Sequence, residues 1–108
     1  MLAPTPEVPY VAVIFTSRRT KEGDDGYEAT AERMEQLAAD QPGYLGIESV
    51  RDHHTGIGIT VSYWATEADA TAWKRVTEHV DAQRRGVESW YDEYQVRVAT
   101  VTRSYRRT

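Results

Sequence analysis

The chain carries three histidines, thirteen lysines and arginines, and eleven aromatic side chains (three Trp, seven Tyr, one Phe), with no cysteine. The chemistry on offer is therefore proton transfer at imidazole, cation pairing at guanidinium, and stacking on rings. His79 lies six residues after Trp73, and an imidazole with an unperturbed pKa of about 6.5 exchanges its proton near neutral pH; a hydrogen bond to a neighbouring loop or subunit is its structural alternative. Arg51 and Arg97 fall in the runs YLGIESVR and YQVRVATV, where a charge must be paired, face solvent or hold an anion. Glu48 is the obvious partner for one of them. Trp90, Tyr91 and Tyr94 crowd into SWYDEYQVRV. They read either as core or as the wall of a pocket for a flat, apolar molecule, since a buried phenol needs a hydrogen-bond partner. Trp64 and Trp73 carry the same two readings.

Other chemistries are absent. Without cysteine there is no disulfide, thiolate metal site or cysteine nucleophile. His53 and His54 stand together with no third ligand near them in sequence, which reads as an exposed turn, and no metal site is expected. No P-loop, dinucleotide fingerprint, nucleophile elbow or HExxH occurs.

The elements that must position these residues follow from periodicity. Residues 1–9 (MLAPTPEVP) form an extended arm, and residues 10–105 form one domain with a short tail at 106–108. YVAVIFTS, with its β-branched and aromatic side chains, predicts a strand from Tyr10 to Arg18. It is apolar on both faces, Val11, Val13 and Phe15 against Tyr10, Ala12 and Ile14, and so must be covered on both. TKEGDDG is a loop. Tyr27, Ala31, Met34, Leu37 and Ala38 trace the inner stripe of a helix over Tyr27–Asp40, stopped by Gln41-Pro42-Gly43. Tyr44–Arg51 and Ile57–Trp64 are strands joined by the hairpin loop DHHTG. Thr66, with Asp69 three residues on, caps a second helix whose stripe is Ala70, Trp73, Thr77 and Val80, running to about Arg84 and stopping at Gly86. A helical turn at Val87–Tyr91 and a last strand at Tyr94–Ser104 complete the chain. The order βαββαβ is the ferredoxin-like α+β plan, an antiparallel sheet with both helices on one face. The bare second face is most economically covered by a second copy, so a homodimer is expected.

With 108 residues and a net charge of −4, the chain is a single domain with no basic patch for nucleic acid. The cluster RSYRRT at the end reads as a solvated terminus. No run reaches the ~20 apolar residues of a membrane helix, and MLAPTPEVPY has no signal-peptide pattern. A cytoplasmic protein is expected.

The segments QPGYLGIES, SYW, the AW-x5-H of the second helix, and QRRGVESWYDEYQVRV together resemble the antibiotic biosynthesis monooxygenase domains, over about residues 10–105. The closest similarity is to a subgroup of small stand-alone bacterial proteins. The resemblance implies a dimeric α+β barrel with a cavity between sheet and helices in each subunit. It also implies oxidation of a small aromatic, polyketide- or quinol-like substrate by O2 without metal, flavin or haem, so no cofactor is expected. The site residues so implied are His79 as proton acceptor, Arg51 or Arg97 as anion stabiliser, and Trp64, Trp73, Trp90, Tyr91, Tyr94, Gln83 and Phe15 as pocket wall. Haem-degrading relatives use a first-strand asparagine, a helix tryptophan and a histidine about ten residues later. Only Trp73 matches that set: Gln83 stands at the histidine's place, and Phe15-Thr16-Ser17 has no asparagine. A non-catalytic dimer that sequesters an aromatic metabolite is the alternative of a different class.

Overall fold

The computed structural model describes residues 2–19, 27–83 and 91–107, without the side chains of residues 27, 28, 30 and 79–83. Its elements are β1 (Tyr10–Arg19), α1 (Tyr27–Ala39), β2 (Tyr44–Arg51), β3 (Ile57–Trp64), α2 (Glu67–Gln83) and β4 (Tyr91–Val101). All neighbouring strands are antiparallel, in the order β2-β3-β1-β4. This is the ferredoxin-like α+β fold expected from the element order.

Register assigns the two faces, because successive side chains on a strand alternate. Val11 pairs with Trp64 and Thr100, and Val13 with Ser62 and Val98. This row carries the core: Val11, Trp64, Ala38, Ala70 and Trp73, packed against Val13, Met34, Leu37, Tyr44 and Val76. Trp64 is fully buried and stacks on Trp73 with ring centroids 5.5 Å apart. Its indole N–H donates to Ser62 Oγ at 2.9 Å, so the large ring enters the core with no polar atom left over. Of the expected α1 stripe, Met34, Leu37 and Ala38 pack inward, whereas Ala31 is exposed. Among the described side chains, those of α1 on the core come from its second half; that of Tyr27, the first of the expected stripe, lies outside them.

The connections follow their sequence signals. The stop at Gln41-Pro42-Gly43 holds: Gln41 N–H donates to Ala38 O at 3.0 Å, and Gly43 takes φ +80°, a conformation that favours glycine. A side chain there would also strike Asp69. Thr66 caps α2, its Oγ1 accepting from Asp69 N–H at 3.1 Å. In the hairpin, the Asp52 carboxylate accepts from His54 N–H, Thr55 N–H and the Thr55 hydroxyl. These bonds, the Thr55 hydroxyl first, hold its carboxyl below the usual carboxylate range. β4 differs from expectation. It starts at Tyr91 rather than Tyr94, because a bulge at Arg18/Arg19 lets Arg19 reach Tyr91, and it ends at Val101, opposite the first residue of β1. Tyr91 is thus strand, and the rest of the helical turn expected at 87–91 lies outside the described residues.

Candidate functional site

On the helix side of the sheet, away from the tryptophan core, the strands bring four of the expected residues together. Phe15 (β1), Tyr91 and Tyr94 (β4) form a three-ring cluster. The Phe15 ring lies 5.5 Å from each tyrosine, edge-on to Tyr91 and tilted to Tyr94, and the two tyrosines are 6.2 Å apart. These are ordinary aromatic pair distances. Phe15 and Tyr91 are half-buried, while Tyr94 remains 61% exposed, with Val96 and Val98 beside it on the same face of β4.

Arg51 completes the cluster. Its guanidinium carbon lies 6.0 Å from the centre of the Tyr91 ring, at the outer range of a cation–π contact. One terminal nitrogen donates to Gly56 O at 2.5 Å and the other to Ser17 Oγ at 2.9 Å. Ser17 is itself buried. The side chain runs from β2 across β3 at Gly58, where an added methyl would stand 2.6 Å from the guanidinium carbon. Gly58 therefore makes the passage that lets the cation reach β1. Ser17 and Gly58 were not among the residues singled out from sequence. Strand parity was the available signal, since both lie on the face that Arg51 occupies.

The two arginines offered as alternatives are separated. Arg97 pairs with Ile14, on the opposite face, where it is exposed and donates to Gln95 Oε1 at 2.6 Å. Glu48 partners neither arginine. It accepts from the Tyr63 hydroxyl at 2.6 Å and from Ala3 N–H at 2.9 Å. Arg51, three positions on, points to the opposite face, and Arg97 shares Glu48's face but stands on β4, with β3 and β1 between. These two bonds, that of Tyr63 first, hold the Glu48 carboxyl below its ordinary value. Burial and then the Glu48 bond hold the Tyr63 phenol far above its own.

Trp64 and Trp73 fill the core behind this cluster. His79 and Gln83 lie on α2, with side chains outside the described residues, as is all of Trp90. His53 and His54 are exposed in the hairpin loop. Among the described residues no three His, Asp or Glu side chains gather into a metal-binding group, and no helix is long and apolar enough to cross a membrane.

Residues 10–85 match the family model described as antibiotic biosynthesis monooxygenase. The uncharacterized protein YqjZ of Bacillus subtilis is 55% identical over 102 residues, covering 94% of this chain and 88% of that one. A jasmonate monooxygenase of Pyricularia oryzae is 30% identical over 98 residues, covering 88% of this chain but only 45% of that longer protein. Among solved structures, a variant of SnoaB from Streptomyces nogalater, described as a cofactor-independent oxygenase, superposes with a TM-score of 0.71 at 12% identity, over 90% of this chain and 97% of that one. PA3566 from Pseudomonas aeruginosa superposes with a TM-score of 0.68 at 12% identity, over 91% and 97%. At such identities the structures speak for the fold alone, while the family model, matching most of the chain, carries the kinship: this chain belongs to the antibiotic biosynthesis monooxygenase family.

Proposed function

We propose that this chain is a cofactor-independent monooxygenase that oxidises a small aromatic, quinol- or polyketide-like molecule with O2, working in the cytoplasm as a homodimer. The observation that carries this reading is a cation held at the rim of an aromatic shelf: Arg51, tied to Ser17 and Gly56, beside Phe15, Tyr91 and Tyr94. The rings would receive a flat substrate, and Arg51 would favour its deprotonated form. A methylene flanked by aromatic rings, as in an anthrone, loses a proton and gives a delocalised anion that can pass electrons to O2. One oxygen atom enters the substrate as a new carbonyl and the other leaves as water, so CH2 plus O2 becomes C=O plus H2O. The protein has to accept the first proton, a role assigned to His79 on α2, and to hold the anion away from bulk solvent.

The dimer reading rests on the sheet's second face, where Val50, Ile57 and Ile59 are 72%, 47% and 42% exposed. An apolar patch of this kind is ordinarily covered. Oxygen consumption with anthrone-type phenols tests the enzyme reading. Uptake above buffer that falls in His79→Ala and Arg51→Met supports it. Ligand-induced thermal stabilisation without uptake would instead make the protein a non-catalytic binding dimer.

A further inference from the structure

Residues 2–6 lie extended on the sheet face that the helices leave bare, and the chain bends at Glu7 and Val8 on its way into β1. Ala3 and Thr5 are half-buried while Pro4 and Pro6 are exposed, the period of two of an extended segment laid on a surface. Ala3 N–H donates to Glu48 Oε2 at 2.9 Å, and the Thr5 hydroxyl donates to the Tyr10 hydroxyl at 2.9 Å. The Ala3 methyl fills the space above Gly46, 2.8 Å from where a side chain on that glycine would begin. The other Glu48 oxygen accepts from Tyr63, whose ring meets Tyr10 edge-on at 5.7 Å.

Burial along this face follows the arm. The face's apolar strip runs through Tyr10, Ala12 and Ile14 on β1 and Tyr63, Val61, Ile59 and Ile57 on β3, bordered at the far end by Thr16 and Arg18 of β1. At the arm's end Tyr10 and Ala12 are each only 5% exposed, although the helices lie on the other side of the sheet. At the far end Ile57 and Ile59 are open. Without the arm, the β3 row would lie open from Tyr63 to Ile57, flanked on β1 by Tyr10, Ala12 and Ile14.

We propose that residues 2–8 are a strap, latched on the Glu48 carboxylate, that closes one end of this strip and so limits the surface a second copy can cover. The proposal rests on the dimer reading above only in naming a second copy as the occupant of the remaining half. Prolines at the outward positions suit the role, since they hold the backbone extended and offer no N–H to a further strand. With the strap released, Tyr10, Ala12 and Tyr63 rejoin Ile57 and Ile59, and the contact that two copies can make widens.

Two variants of the full chain test this. Ala3→Pro removes the latch's donor within the arm and leaves every sheet residue in place; Glu48→Ala removes the acceptor. A lost N–H to carboxylate bond should raise strap opening about tenfold or more. The expected result is a comparable rise in native-state cleavage after Glu7 by a glutamate-specific protease, together with tighter self-association than the wild type's in sedimentation velocity over a dilution series. Unchanged cleavage would refute the latch. Faster cleavage with unchanged strength of self-association would refute its control of assembly. A monomeric wild type would refute the dimer reading instead, and the same two variants would still decide the strap by whether they associate. Because Ala3 lies outside the folded sheet, the Ala3→Pro result stands even if Glu48→Ala loses its fold.

Discussion

The Arg51 guanidinium on edge strand β2 donates to the Ser17 hydroxyl on β1 at 2.9 Å, crossing the intervening strand β3 at Gly58. Neither Ser17 nor Gly58 carries chemistry of its own, yet the two decide where the cation stands. Ser17→Ala removes one of its anchors, and Gly58→Ala places a methyl in its path. Each variant should weaken binding of an anionic ring such as 2-naphthoate by about tenfold or more, the worth of one charge-assisted hydrogen bond. Binding of neutral 2-naphthamide should change little. Calorimetric titration of both ligands checks this, and equal losses for both would mean that the arrangement only stabilises the fold.

Trp64 is the central packing residue. Trp64→Ala removes a fully buried ring stacked on Trp73 and leaves Ser62 Oγ without the indole donor. The expected loss is about 3–5 kcal/mol. In a domain of this size each kcal/mol lowers Tm by about 4–8 °C, so thermal denaturation should show a fall well over 10 °C. A drop of only a few degrees would mean that the core collapses around the gap.

Stability should fall on acidification through the Glu48 carboxylate. Its folded-state pKa lies below the ordinary value, chiefly because of the Tyr63 hydroxyl and then the Ala3 amide. The stabilisation is therefore present above the unfolded carboxylate pKa and is lost as pH falls through the folded one. Urea unfolding as a function of pH should show a shallower acid limb in Glu48→Gln. An identical limb would place the acid sensitivity elsewhere.

Ile59→Lys puts a charge in the middle of the open part of the second face. Ile59 is 42% exposed in the single chain, so the fold itself should lose little, within about 1 kcal/mol. A dimer closed through this face should dissociate, as sedimentation equilibrium would show. A dimer of unchanged strength would place the subunit contact on another surface.

Much of the architecture was legible from local pattern. β2 and β3 occupy Tyr44–Arg51 and Ile57–Trp64, the residues that alternation and the turn DHHTG predict, and α1 ends at its proline-glycine stop. Alternation works because a strand's two faces are a property of each residue and its neighbours. It also reports parity, and parity would have ruled out Glu48 as a partner for Arg51. The start of β4 was less accessible: the bulge that brings Tyr91 opposite Arg19 depends on another strand, and nothing in WYDEY marks it.

What the amino-acid order determined alone is the set of elements, their βαββαβ succession and the two-sided apolarity of β1. The strand order β2-β3-β1-β4 was decided only by the folded chain, and with it which rows meet. That order puts Arg51 on the side of Phe15, Tyr91 and Tyr94 and Arg97 on the other. It also lays residues 2–8 over Gly46 and Glu48, some forty positions away. Contacts at that separation arise from burying apolar surface on two sides of one sheet, and no local period records which distant residues will share a face.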